Sequence, residues 1–175
     1  MATHDVLHGI GVSAGTAAAP AAIVQPAPGV DTSEPGSVDA AADGARVREA
    51  LAAVSSRLSE RAAKAPEETK AILKATAQLA GDRGLAKAVD KKLKKGLGIT
   101  QAVHDAVEDY AQMLRSLGGY MAERATDLYD VRDRAICDLR GLPEPGVPAF
   151  DGAVILVARD LAPAETATLN PETVL

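Results

Sequence analysis

The sequence predicts an α+β fold in which an all-helical bundle of four to five helices is inserted into an incomplete α/β unit, with the strands of that unit near the two ends of the chain. Three observations predict it. From about residue 37 to residue 141 apolar residues recur at intervals of three and four, the period that keeps one stripe of a helix against a core. Outside that stretch the pattern changes to alternation near the start and to a continuous apolar run, Ala153 to Val157, near the end. The changes coincide with connections rich in Pro and Gly, at 26–36 and 143–148. The expected division is 1–30 with 146–175 as the strand-bearing part and 31–145 as the helical part.

The chain opens with Val6, His8 and Ile10 alternating with Leu7, Gly9 and Gly11, then passes Ser13-Ala14-Gly15 into 16–24. Two short strands around a glycine turn are expected. His4 and His8 fall here. A metal centre would need further ligands at matching spacing, and none beyond Asp5 stands nearby, so these are read as ordinary histidines.

A helix is expected from Ser37 to about Lys64, with Ser37 as N-cap, Asp39 in the first turn and Val47, Leu51, Val54 and Leu58 as its apolar stripe. Pro66 restarts the chain at the favoured first helical position, with Glu67 and Glu68 at the positive end of the new helix dipole. Its inner face is read as Ala71, Ile72, Ala75 and Leu79. Gly81-Asp82 breaks that helix, and Leu85, Val89 and Leu93 mark another that ends at Gly96. Then comes a helical hairpin over 100–141. Thr100 is the expected N-cap, Val103, Val107, Tyr110, Leu114 and Leu117 the first stripe, Gly118-Gly119 the turn, and Met121, Ala125, Leu128, Ala135 and Leu139 the second stripe. So short a turn makes the two helices pack antiparallel.

Past the prolines at 143, 145 and 148, the run Ala153 to Val157 is read as a strand buried on both faces, Pro163 to Thr166 as a helical first turn, and Thr173 to Leu175 as the start of another strand.

Composition narrows the function. Hydrophobic residues make up 47% and charged residues 25%, but aromatics only 2%, so the core is built from Ala, Leu, Val and Ile, which suits close helix packing better than an aromatic-walled ligand pocket. A net charge of -5 argues against nucleic acid as a partner. The basic run Lys91, Lys92, Lys94 and Lys95 reads as a solvated helix end. A single cysteine, Cys137, excludes an internal disulfide and reads as a small core hydrophobe. Neither a signal peptide nor a membrane span is evident, and a cytoplasmic location is expected.

These elements resemble a known family. Gly9-Ile10-Gly11-Val12-Ser13-Ala14-Gly15, Glu67-Glu68, Glu123-Arg124-Ala125-Thr126-Asp127-Leu128, 154–161 and 163–170 are similar, in order and spacing, to the amino-terminal part of enzyme I of the bacterial sugar phosphotransferase system, the phosphoenolpyruvate-protein phosphotransferase. The resemblance implies an α/β phosphohistidine subdomain interrupted by a helical one. It places the family's phosphorylated histidine just past Leu175 and the domain that binds phosphoenolpyruvate and Mg, and that dimerises, further on. The 175 residues alone are therefore expected to be inactive, with no catalytic, cofactor or metal residue of their own; His104, one residue after Val103, reads as a helix-surface residue.

In the family the helical subdomain docks a small histidine-containing phosphocarrier protein. Carried over by position, the implied contacts are Glu67, Glu68, Ala71, Ile72, Leu79, Asp82 and Leu85, with Met113, Leu117, Tyr120, Met121 and Arg124 near the hairpin turn. Carboxylates around an apolar patch would steer a basic partner while the apolar centre supplies contact energy. Leu79, Leu85 and Leu117 could instead complete the bundle core. Gly81-Asp82-Arg83-Gly84 also departs from the family, which commonly clusters acidic residues there. Two other readings stay open: an enzyme competent by itself, against which speaks the lack of a phosphate loop, a nucleophile-base pair or a metal cluster, and a self-assembling helical bundle.

Overall fold

A computed structural model describes residues 14–31, 33–148, 150–159, 161, 163–166 and 168–175. Its elements, in chain order, are β1 (Ala21–Ile23), α1 (Ala40–Lys64), α2 (Glu67–Ala80), α3 (Arg83–Leu93), α4 (Ile99–Leu117), α5 (Gly119–Arg140), β2 (Ile155–Val157) and α6 (Pro163–Thr166). The alternating stretch before residue 14, with His4 and His8, lies outside the described residues.

Helices α1 to α5 form a four-legged bundle in which α2 and α3 share one leg. α1 packs on α2, α3 and α5, and the hairpin helices α4 and α5 pack on each other, with α3 against α4. The core is aliphatic. Val47, Leu51, Val54 and Leu58 of α1 meet Leu73, Leu85, Val89, Leu93, Val103, Val107, Leu128, Val131 and Ile136, and alanines 102, 106, 111 and 135 fill the closest approaches. Among the described residues, no helix is long and apolar enough to cross a membrane.

Several helix ends differ from expectation. α1 begins three residues after Ser37; Asp39 is the N-cap and accepts from the backbone N–H groups of Ala41 and Ala42, while Ser37 donates to Asp43. An ionised carboxylate is the stronger acceptor at the positive helix end. Pro66 is the N-cap of α2 rather than its first residue. At α4, Gly98 is the N-cap and carries no side chain, and Thr100 donates rather than accepts. Its backbone N–H (2.8 Å) and hydroxyl (2.6 Å) both reach Glu34 Oε2, so the first turn is capped from the distant 26–36 connection.

The hairpin turn uses two glycines at positive φ, Gly118 at 71° and Gly119 at 55°, a region where a Cβ would be strained. α5 ends at Gly141 in the left-handed conformation, with Leu142 N–H donating to Cys137 O and Gly141 N–H to Asp138 O, the paired bonds of a Schellman cap.

On α2 the buried face is Thr69, Leu73, Thr76, Ala77 and Ala80, whereas Ala71 is exposed and Ile72, Ala75 and Leu79 are half-buried. The expected stripe is thus rotated. Thr76 donates its hydroxyl to Ile72 O, which satisfies the polar atom and lets a threonine occupy the core.

β1 and β2 pair in parallel, Ala21 with Ile155 and Ile23 with Val157. Val154 forms an isolated parallel bridge with Val174, and 173–175, expected to begin a further strand, form none; the sheet is two-stranded. β2 is not buried on both faces: Val154 is buried, Ile155 and Leu156 are half-buried and Val157 is exposed. Burial of both faces needs a helix layer on each, and among the described residues the long helices spend their apolar faces on one another.

Candidate functional site

The implied contact residues separate into the outer edge of α2, a junction, a hairpin tip and a core position. The junction lies where α2 gives way to α3. Asp82 caps α3 by accepting from the N–H groups of Gly84 and Leu85, and Tyr110 of α4 donates its hydroxyl to the same carboxylate oxygen at 3.2 Å. A side chain at Gly84 would collide with that hydroxyl, so glycine leaves room for the Tyr110 hydroxyl beside Asp82. Burial and the neighbouring Asp82 carboxylate raise the Tyr110 pKa above the usual phenol range.

Met113 and Leu117 follow Tyr110 at three and seven residues, one stripe of α4 leading from the junction to the tip. There the apolar groups surface: Met113 is 46% exposed, Leu117 64%, Tyr120 62% and Met121 41%. The Arg124 guanidinium stacks 4.4 Å from the Tyr120 ring centroid, hydrogen-bonds its hydroxyl and pairs with Asp127 at 2.7 Å. Tyr120 is thereby held in place while its outer face stays open.

Leu85 does not belong to the surface. It is 1% exposed, inside the bundle with Val89 and Leu93, because it occupies the first inward position of α3. Leu79 and Ile72 are half-buried and pack against the core from the edge of α2, so part of each side chain still faces out. Glu67 and Glu68 are exposed at the start of α2, where Glu67 pairs with Lys70 at 3.0 Å. An exposed pair of this kind contributes little to stability but leaves the local field in place.

A second cluster was not singled out in the sequence. Arg134, 1% exposed, donates from Nε to both Asp130 oxygens at 3.0 Å and from Nη1 to Glu144 at 2.9 Å, and its Nη2 stands 3.7 Å from Glu165. Glu144 also accepts from Arg57 of α1. The lattice ties α1 and α5 to the segment leading into β2 and to α6. Burial works against the Arg134 charge, but Asp130, Glu144 and Glu165 outweigh it and raise the pKa. A signal did exist: Asp130 and Arg134, four apart, stand among the core positions Leu128, Val131 and Ala135.

Beside the lattice, a cleft of about 760 Å³ opens between α5 and the ends of β1 and β2, with Tyr129, Asp133, Gln25 and Arg159 in its wall. Burial raises the Asp133 pKa above the ordinary carboxylate value, although Arg132 pulls the other way. His104 Nδ1 lies 3.1 Å from Asp105 on the side of α4. Cys137 is buried and its thiol pKa is pushed up by that burial, in keeping with a core hydrophobe.

Residues 8–124 match the family model described as PEP-utilising enzyme, N-terminal. A phosphoenolpyruvate-protein phosphotransferase of Streptomyces coelicolor is 42% identical over 137 residues, covering 78% of this chain and 25% of that protein. One of Haloferax volcanii is 35% identical over 116 residues, covering 62% and 19%. The chain thus spans a quarter or less of the length of these relatives. Among solved structures, a solution structure of Enzyme I aligns with a TM-score of 0.67 at 31% identity, covering 81% of this chain and 61% of that one. The N-terminal domain of a nitrogen Enzyme 1 aligns at 0.58 with 25% identity, covering 89% and 66%.

Proposed function

The chain belongs to the family of PEP-utilising enzyme N-terminal regions, and on that premise we propose that its helical block docks a small histidine-containing phosphocarrier protein. In this reading the whole protein moves a phosphoryl group from phosphoenolpyruvate to that carrier in the cytoplasm, at the head of a sugar-transport system. The docking unit is residues 31–145, and 1–30 with 146–175 belong to the phosphohistidine part. Mg and phosphoenolpyruvate act elsewhere in the longer protein, through a domain that also dimerises. Among the described residues no three His, Cys, Asp or Glu side chains converge to hold a metal ion.

One observation carries the reading. Met113, Leu117, Tyr120 and Met121 are exposed together at one end of a bundle whose other large apolar side chains are mostly inside. Exposed methionines and an open tyrosine supply adaptable and amphipathic contact area, the chemistry of a binding surface. Ala71, Ile72 and Leu79 extend the apolar area along α2, Glu67 and Glu68 give it an acidic border, and Asp82 and Arg124 hold Tyr110 and Tyr120 in position. Leu85 supports the face from beneath.

Titration of labelled phosphocarrier against the wild-type chain and against Leu117→Ser with Met113→Ser tests this. Saturable binding that the double variant loses, with its thermal unfolding unchanged, is the expected result. If the wild type does not bind at millimolar concentration and low salt, the docking reading fails. Concentration-dependent sedimentation that the same double variant abolishes would then transfer the patch to self-assembly.

A further inference from the structure

α3 buries Leu85, Val89 and Leu93 and turns a row of cations outward. Arg83, Lys87, Lys91 and Lys94 follow at intervals of four, four and three, with Lys95 beside them, and all five are exposed. None of them makes an ion pair or hydrogen bond with a described residue. Lys92, on the inward flank, does, meeting Asp109 at 2.7 Å. Like charges at helical neighbour spacing repel one another, and the negative end of the α3 dipole and Asp90 offset that repulsion in part near Lys91 and Lys94.

The row begins at the docking face. Arg83 directly follows Asp82, the residue that Tyr110 contacts, and Tyr110 leads into Met113 and Leu117. Along the leg formed by α2 and α3 the border of the face therefore runs from acidic, Glu67 and Glu68, to basic, Arg83 and Lys87. Resting on the docking reading, we propose that the phosphocarrier seated on this face presents a carboxylate-bearing edge to α3. The order of charge along α2 and α3 then sets which way round the partner sits.

A protein edge suits this row better than a polyanion. A nucleic acid or an anionic membrane would bring dense negative charge against a chain whose net charge is -5. The cationic row spans only about 16 Å, at ~1.5 Å per residue from Arg83 to Lys94, the length of a few helical turns. It also adjoins an apolar patch, and an apolar centre with charged borders is the layout of a protein interface.

The test uses stopped-flow association of the 175-residue chain with fluorescently labelled phosphocarrier at low and high salt. Arg83→Glu with Lys87→Glu should slow association on the order of tenfold at low salt and flatten its salt dependence, because steering by a few charges acts mainly on the on-rate. Lys94→Glu with Lys95→Glu, further from the patch, should have a smaller effect in the same direction. If the first variant unfolds, Arg83→Gln with Lys87→Gln gives the same comparison at reduced size.

Unchanged or faster association in the Arg83 and Lys87 variants, while Leu117→Ser still releases the carrier, overturns this inference and leaves the docking reading standing. No binding by the wild type removes both. Duplex DNA or phosphatidylserine vesicles bound more tightly than the carrier, through the same cations, would also overturn it.

Discussion

Replacing Arg134 by methionine keeps an unbranched apolar stem and removes the charge at the centre of the buried lattice. Asp130 then loses both of its 3.0 Å bonds to the guanidinium while its own side chain stays almost wholly inside, and Glu144 loses its 2.9 Å bond. Removing one partner of a buried ion pair typically destabilises by about 3–5 kcal/mol, because the remaining charge is left in a poorly solvating interior. Glu144, more open and still held by Arg57, adds little to that figure. For a domain of this size the loss corresponds to about 6–20 °C in the unfolding midpoint. Urea unfolding followed by circular dichroism supplies the free energy directly. The double variant Arg134→Met with Asp130→Leu should recover most of the loss, since an apolar pair of similar volume replaces a buried ion pair at little penalty. A single variant within about 1 kcal/mol of wild type, or a double variant worse than the single, would refute the reading of Asp130 and Arg134 as a buried ion pair whose halves depend on each other.

Two further outcomes are expected. Leu85→Ala should lower stability by about 2–5 kcal/mol because Leu85 is enclosed, whereas Leu117→Ala, on the open tip, should change it by no more than about 0.5 kcal/mol; unfolding curves of the two check the core and surface assignments. Asp133 gives a pH signature. Burial raises its native pKa above the unfolded value, so it favours folding at low pH, and that contribution is lost as pH rises through the native pKa. Asp133→Asn should therefore gain stability relative to wild type as pH is raised from 3.5 to 7, and a relative loss over that range would show that the pairing with Arg132 outweighs burial.

Much of the fold was legible because helices write their periodicity locally. Val47, Leu51, Val54 and Leu58, the triad Leu85, Val89 and Leu93, and the break at Gly118-Gly119 all stand where spacing and backbone freedom put them. The exposure of the candidate site residues was legible in part. Spacing could place Leu117 on the same stripe as Val103, yet it could not say that the stripe runs off the end of the core before reaching it, leaving Leu117 open and Leu85 enclosed.

By itself, the sequence determined the element types, their order and the family, because propensity, periodicity and turn chemistry act between residues close along the chain. Only the tertiary structure decided that Glu34 caps a helix 66 residues away, that α2 turns Thr69 and Thr76 inward, and that Arg134 gathers carboxylates from α5, the connection after it and α6. The first and the last settle a polar group against a partner from another element, whereas Thr76 bonds Ile72 O within its own helix and is turned inward by packing alone. A backbone N–H, a hydroxyl or a guanidinium must find its acceptor wherever the packed chain brings one within about 3 Å, and that proximity exists only after the helices have met.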